Sequence, residues 1–225
     1  MHARVDHLVV LAADLAQGAR WCQHVLGVVP GAGGSHPLMG THNRLLRVAT
    51  VNYPQAYLEI IAIDPDAPAP VRSRWFDLDD PVVRARLAEH GPVLAHFVAA
   101  VPDAHEAVSA LQAQGLDRGE VLAASRMSPQ GLLEWRISVR DDGQRLLAGT
   151  LPTLIEWGAV HPATHMPRSG LTLQSVQVTH PEAATLEAAY QAIGLRGVRV
   201  APGPTCLTAT LRTPRGLITL SSEGL

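Results

Sequence analysis

Two stretches of this chain read almost alike: HLVVLAADLAQGARWCQHVLG (7 to 27) and HFVAAVPDAHEAVSALQAQGL (96 to 116). An internal repeat constrains a fold more than any single motif, because a unit that cannot bury its apolar face alone must pair with its copy. The offset, 96 − 7 = 89, also brings Asp14 onto Asp103. Each copy is an apolar strand, an aspartate placed to cap a helix, a helix with an apolar stripe, and a glycine stop. The stripe is Leu15, Ala19, Cys22 and Leu26 before Gly27 in the first copy, and Ala104, Val108 and Leu111 before Gly115 in the second.

The segments after each helix are strand-like: NRLLRVATV and QAYLEIIAI in the first copy, GEVLAAS, LLEWRISV and PTLIEWGAV in the second. A further short strand is expected beside GAGGSHP, so both units read as βαβββ. This predicts an α+β protein whose modules cover residues 1–64 and 91–160 and share one cupped sheet. The proline-rich connector at 65–90 ends in a short charged helix and is expected on the surface. A third copy of the element order occupies 171–225: LQSVQVTHPEAATLEAAYQAIGL, then GVRVAPG, CLTATLRT and GLITLSS. Its counterpart of His96 is Ser175, and near Thr219 it has no acid where the other two have one.

Composition excludes several functions. The chain has 225 residues, 47% of them hydrophobic, a dispersed net charge of −2, and no basic stripe of the kind a nucleic-acid binder carries. No apolar run reaches the ~18 residues of a membrane span, and a cytoplasmic location is the default expectation. Cys22 and Cys206 lack the spacing of a disulfide framework or a thiolate zinc site. Every basic side chain is arginine, which removes Schiff-base and P-loop lysine chemistry. GAGGSH (31 to 36) has histidine where a dinucleotide fingerprint needs glycine, and there is no G-x-S-x-G elbow.

His7 and His96 each stand near the start of a strand built for burial, and a titratable ring there needs a partner. The last strand of each module offers one: Glu59 in AYLEIIAI and Glu156 in TLIEWGAV. Glu134, in LLEWRISV, is a rival for Glu156 but lies on a middle strand. Histidine and glutamate recur together in modules one and two and are both missing from the corresponding positions of module three, which suggests a site rather than a scaffold.

Paired βαβββ modules with a histidine on the first strand and an acid on the last resemble the vicinal oxygen chelate superfamily. The separations, 59 − 7 = 52 and 156 − 96 = 60, fit that architecture. VDHLVVLAADL, GGSHPLMGTHNRLLRV, YLEIIAIDPDAP and RWFDLD are more narrowly similar to the glyoxalase-like domain family within it. The resemblance places four metal-ligand positions on His7, Glu59, His96 and Glu156, for a divalent ion such as Zn, Ni, Mn, Co or Fe. It implies a lyase or isomerase acting on a small molecule with vicinal oxygens, in which Glu59 or Glu156 moves a proton between adjacent carbons. Alternatives are an extradiol-type Fe(II) dioxygenase using His7, His96 and Glu156, and a non-catalytic protein that sequesters a small molecule such as an antibiotic.

His36, His42 and Asn43 are expected at the mouth of the cup in contact with substrate, and Arg72, Arg74 and Trp75 as a clamp for an anionic or aromatic group. His2, His24, His90, His105, His161, His165 and His180 read as surface or loop residues. Module three has no fourth copy to pair with, and its apolar Leu207, Leu211 and Ile218 suggest a homodimer built from residues 171–225. The competing expectation is that this module folds back over the other two.

Overall fold

The computed structural model describes residues 2–128 and 131–225. The first module runs β1 (Arg4–Leu11), α1 (Leu15–Trp21, extended by a wider turn through Leu26), β2 (Ser35–His36), β3 (Thr41–Arg47) and β4 (Tyr57–Ile63). The connector carries α2 (Pro81–His90). The second module runs β5 (Val93–Ala100), α3 (Ala104–Gln112), β6 (Glu120–Ser128), β7 (Gly131–Val139) and β8 (Thr153–Trp157). The caps form as the repeat requires: Asp14 accepts from Gln17 N at 2.7 Å and Asp103 from Glu106 N at 2.8 Å. Gly27 and Gly115 end their helices at φ of 75° and 76°, backbone values that L side chains rarely adopt.

The eight strands form one sheet in the order β2-β3-β4-β1-β5-β8-β7-β6, with β1 and β5 antiparallel at its centre. In each half the last strand lies parallel beside the first, β4 on β1 and β8 on β5. Period-two alternation then sends Leu8, Val10, Leu58, Ile60, Phe97 and Ala99 to the convex, helix-covered core, and Val9, Leu11, Ile61, Val98 and Ile155 to the concave one.

Two expectations about the remaining segments do not hold. The connector does not ride on the surface: Trp75, Phe76, Leu78, Val83 and Leu87 are buried in the concave core. Its entry is bent by Phe76 and Asp77, which sit at φ of 60° and 58°, costly for side-chain-bearing residues and tolerated where packing over-determines them.

The third segment, β9 (Thr172–His180), α4 (Ala183–Ala192), β10 (Val198–Pro202), β11 (Cys206–Thr213) and β12 (Gly216–Ser221), keeps the element order but not the topology. Its sheet order is β10-β9-β11-β12, so the strand after the helix pairs parallel with the first, and the last strand stands at the far edge. It packs on the convex face of the main sheet, and Leu173, Val176, Val178, Leu207, Ala209 and Leu211 join the same core as Phe97 and Leu94. Leu173 N donates to Val48 O at 2.8 Å, and Tyr53 Oη to Gly197 O at 2.7 Å. The apolar residues that suggested a homodimer thus pack inside the chain, Leu207 and Leu211 being fully buried.

A core shared by all three segments makes them one cooperative unit. Phe97, fully buried and edge-on to Tyr190 of α4 at 6.3 Å, joins them. Phe97→Ala is expected to cost about 3–5 kcal/mol and to lower the midpoint of a single urea transition followed by circular dichroism. Separate transitions for residues 171–225 and the remainder would contradict the shared core.

Candidate active site

A buried polar cluster lies on the concave face of the first module, and a bulge brings its acid in. The β1–β5 register slips so that Val5 faces Ala99 and His7 faces Val98, leaving Asp6 as the extra residue. Such a bulge puts two neighbours on one side of a sheet. Asp6 and His7 both enter the cup.

Asp6 is fully buried, and its carboxylate accepts from His7 Nδ1 at 2.6 Å, His161 Nε2 at 2.9 Å and Trp157 Nε1 at 3.0 Å. Burial alone would push its pKa up. Hydrogen bonds from His161 and His7 outweigh that and hold the carboxyl far below the usual carboxylate range. An ionised carboxylate only accepts, so His7 Nδ1 carries a proton. The ring, stacked on Tyr57 with centroids 4.5 Å apart, turns Nε2 toward Glu59 Oε2, 3.5 Å away.

Glu59 points inward because β4 places Tyr57, Glu59 and Ile61 on the concave side, and it is 5% exposed. Its Oε1 accepts from Asn43 Nδ2 at 2.5 Å. Asn43 Oδ1 accepts from Gly34 N at 2.8 Å, which fixes the orientation of the amide. His36 Nε2 lies 3.3 Å from Asn43 Nδ2 and 3.9 Å from Glu59 Oε1. Burial pushes the His36 pKa down to about 4, against the opposing pull of Glu59, so this ring is neutral near pH 7. Trp75 closes one wall, edge-on to His36 at 5.2 Å, and its Nε1 is buried without a partner among the described residues.

This inner chamber, about 40 Å³, shares Leu45, Arg126 and Pro162 with an outer vestibule of about 570 Å³. The vestibule is walled mainly by Val28, Val29, Leu46, Leu133, Val160 and Met166, and no carboxylate lines it. Three arginines do, Arg47, Arg126 and Arg168, and none of them is in an ion pair among the described residues.

The second module does not mirror this arrangement. His96 is fully buried, and both ring nitrogens are committed: Nδ1 to Gly149 O at 2.9 Å, and Nε2 accepting from Thr153 N at 3.0 Å. Its pKa lies well below the ordinary histidine value, through burial first and then the nearby Arg118 charge. The register explains the missing acid. His7 pairs with Tyr57, so Glu59 lies two residues beyond its partner. Val98 pairs with Thr153, which puts residue 151 opposite His96 and Thr153 in the place of Glu59. Glu156 is one residue out of phase with that position and faces the convex side. There Oε2 accepts from Ala104 N at 2.9 Å, capping α3, and Oε1 pairs with Arg136 at 2.5 Å. Phe76 stands against His96 at a ring distance of 5.3 Å and lines the chamber of His7 as well, so the connector separates the two halves.

A family model described as the glyoxalase-like domain matches residues 5–194. The chain belongs to the glyoxalase-like domain family. Among solved structures it is similar to a hypothetical protein from Staphylococcus aureus, with a TM-score of 0.59, 12% identity, and 91% of this chain and 88% of that one covered. Weaker likenesses are a Streptomyces coelicolor methylmalonyl-CoA epimerase variant in complex with 2-nitronate-propionyl-CoA, at TM-score 0.43, 17% identity and 71% and 100% coverage. A 4-hydroxymandelate synthase variant, also from Streptomyces coelicolor, gives TM-score 0.47, 16% identity and 98% and 62% coverage. No curated protein matches.

Within this glyoxalase-like frame, the four-residue metal centre implied by the resemblance does not assemble. His7 and Glu59 meet, His96 has no nitrogen to give, and Glu156 lies on the opposite face. The same geometry prevents His7, His96 and Glu156 from forming the facial triad of an extradiol dioxygenase. His36 does not complete a set either, since a hydrogen-bond donor, the Asn43 amide, joins it to Glu59. No group of three or more His, Cys, Asp or Glu among the described residues could hold a metal.

Of the residues expected to touch substrate, His36, Asn43 and Trp75 line the chamber. His42 alternates to the other side of β3 and faces Asp64 at 3.7 Å, while Arg74 is held by Asp79 at 2.7 Å. Arg72 likewise pairs with Asp141 at 2.5 Å. His161 and His180 are not surface residues: each is 7% exposed, the first on Asp6 and the second accepting from Glu182 N at 2.9 Å. The expectations from sequence omit Asp6, Tyr57, Arg126 and Trp157: Tyr57 shares the pleat of Glu59, Trp157 that of Ile155 and Arg126 that of Ala124, while the acid beside His7 in VDHLVV is the available signal for Asp6.

Asp6→Asn leaves an amide that cannot accept three donors in the buried cluster, and a loss of about 3 kcal/mol or more is expected at pH 7. The sign with pH follows from the depressed pKa. The contribution of Asp6 is complete above the ordinary carboxylate range and fades as pH falls through and below it. The gap between wild type and variant in urea denaturation should therefore shrink from pH 7 to pH 3; a constant gap would contradict the assignment.

Proposed function

We propose that the protein is a glyoxalase-like isomerase or lyase that moves a proton at a carbon beside two neighbouring oxygens of a small organic anion. The observation that carries this reading is the pairing of Glu59 with His7 Nε2, 3.5 Å apart in a buried chamber, with His7 held from behind by Asp6. Glu59 is the base. It takes the proton from carbon, and the electron pair moves onto the adjacent carbonyl oxygen to give an enediolate. The unpartnered Trp75 Nε1 and the Arg126 guanidinium are the donors for that oxygen. Return of the proton from Glu59 to the neighbouring carbon, with the hydroxyl proton passing from the first oxygen to the second so that the first becomes the carbonyl, completes an isomerisation. Because the metal-ligand set does not assemble, no step passes through a metal.

The vestibule supports the substrate class. At about 570 Å³ it lies within the ~300–1,000 Å³ of ordinary ligand sites. Apolar walls with three ion-pair-free arginines suit a carboxylate or phosphate on an apolar body. The same vestibule supports a second reading, a protein that binds such a ligand without turnover.

A panel of 2-oxo and 2-hydroxy carboxylates in D2O, followed by proton NMR for loss of the C–H signal beside the carbonyl, tests the first reading. Exchange is expected with at least one of them, and Glu59→Gln is expected to slow it about 100-fold or more. Undiminished exchange in Glu59→Gln would remove Glu59 as the base, and tight binding without exchange would favour the second reading. Arg126→Gln is expected to lower kcat about 100-fold, the loss of one donor to the developing oxyanion, with a smaller effect on KM.

A further inference from the structure

The second module holds a small cavity that neither the fold nor the proposed chemistry explains. Arg118 enters it just ahead of β6, only 2% exposed. Its Nη2 donates to Thr153 Oγ1 at 2.6 Å, but Nε and Nη1 are buried with no hydrogen-bond partner among the described residues. Leaving donors of a buried charged group unpaired costs more than leaving those of a neutral one, so native structures rarely do it. The guanidinium stays charged: burial lowers its pKa only to about 10.

The other groups around the cavity decide what fits. Its volume is about 10 Å³, room for one particle the size of a water molecule. A water there would need acceptors for its own two hydrogens, and the lining side chains are donor-rich. Arg145 already gives Nε to Asp77 and Nη1 to Ala95 O, the Ser138 hydroxyl accepts from Leu154 N, and His96 Nε2 accepts from Thr153 N. Arg140 is neutralised from outside by Asp142. No carboxylate lines the cavity. With two charged donors left over, the Ser138, Thr153 and His96 acceptors each already holding a donor, and Gln144 exposed to solvent, a site of one-atom size matches an anion better than water.

We propose that this cavity binds a single small inorganic anion of halide size, chloride in the cell, held by Arg118 Nε and Nη1. The site lies where the second module would carry the counterpart of the His7 chamber. One half of the cup is thereby given to chemistry and the other to a structural ion. Nothing in this assignment depends on the proposed catalytic reading.

Crystals of the full chain grown in sodium bromide test it by anomalous scattering, with melting curves in chloride and in gluconate at equal ionic strength beside them. Bromide density in contact with Arg118 Nε and Nη1 is expected, together with a melting temperature a few degrees higher in chloride. Arg118→Met keeps the volume and removes the charge, and is expected to melt at the same temperature in both salts. Should that variant not fold, the bromide density in the wild-type protein decides. A cavity that holds water in bromide crystals, with melting indifferent to the anion, would overturn the proposal.

Discussion

A single buried carboxylate organises the interior of this protein. Asp6 comes from the first strand of the first module, yet two of its three donors come from the end of the second: Trp157 at the end of β8 and His161 in the turn after it. Its charge is tolerated in an apolar cup only because all three donors are in place. Bringing them together seats one half of the sheet against the other and fixes the plane and tautomer of His7. His161 Nδ1 accepts from Ala163 N at 3.1 Å, so this ring too presents its other nitrogen to Asp6 as a donor. The Nε2 side of His7 is aimed from behind by Asp6 and His161, neither of which lines the chamber.

The same constraint makes the cup asymmetric. Both modules begin with a histidine on the inner strand, but only His7 has a carboxylate behind it and another in front. Behind His96 is a backbone carbonyl, and in front of it Thr153 stands where Glu59 stands in the first half. The connector completes the division by burying Phe76 between the two rings. A symmetric repeat has thus acquired two different interiors, and a ligand set that needs one residue from each strand pair has no common centre to meet at.

How much of this could be read from residues alone depends on which periodicity was in play. The repeat, the Asp14 and Asp103 caps and the glycine stops were legible because they are local: each is one side chain or one φ angle acting within a turn. His7 with Glu59 was legible for the same reason, since both follow the pleat of their strands. Glu156 was misread because IEW and LEI look alike while their inward phase differs by one residue, and phase is set by the neighbouring strand. Asp6 was missed because a bulge suspends the alternation that would have sent it outward. The third segment shows the widest gap between order and topology. Its strand–helix–strand–strand–strand sequence was correct, yet the pairing β10-β9-β11-β12 differs from that of the other modules. That Ser175 and Thr219 stand there at the counterpart positions of the histidine and the acid therefore says little about the site.

The central claim is that the working centre is one-sided, with His7 held by Asp6 and facing Glu59 while His96 and Glu156 of the second module take no part. Long-range proton–nitrogen correlation of the histidine rings in uniformly 15N-labelled protein measures this directly. The account predicts that His7 is protonated at Nδ1, and that its ring resonances move in Glu59→Gln but not in Glu156→Gln. A His7 ring unprotonated at Nδ1, or one that responds to Glu156→Gln as strongly as to Glu59→Gln, would contradict it.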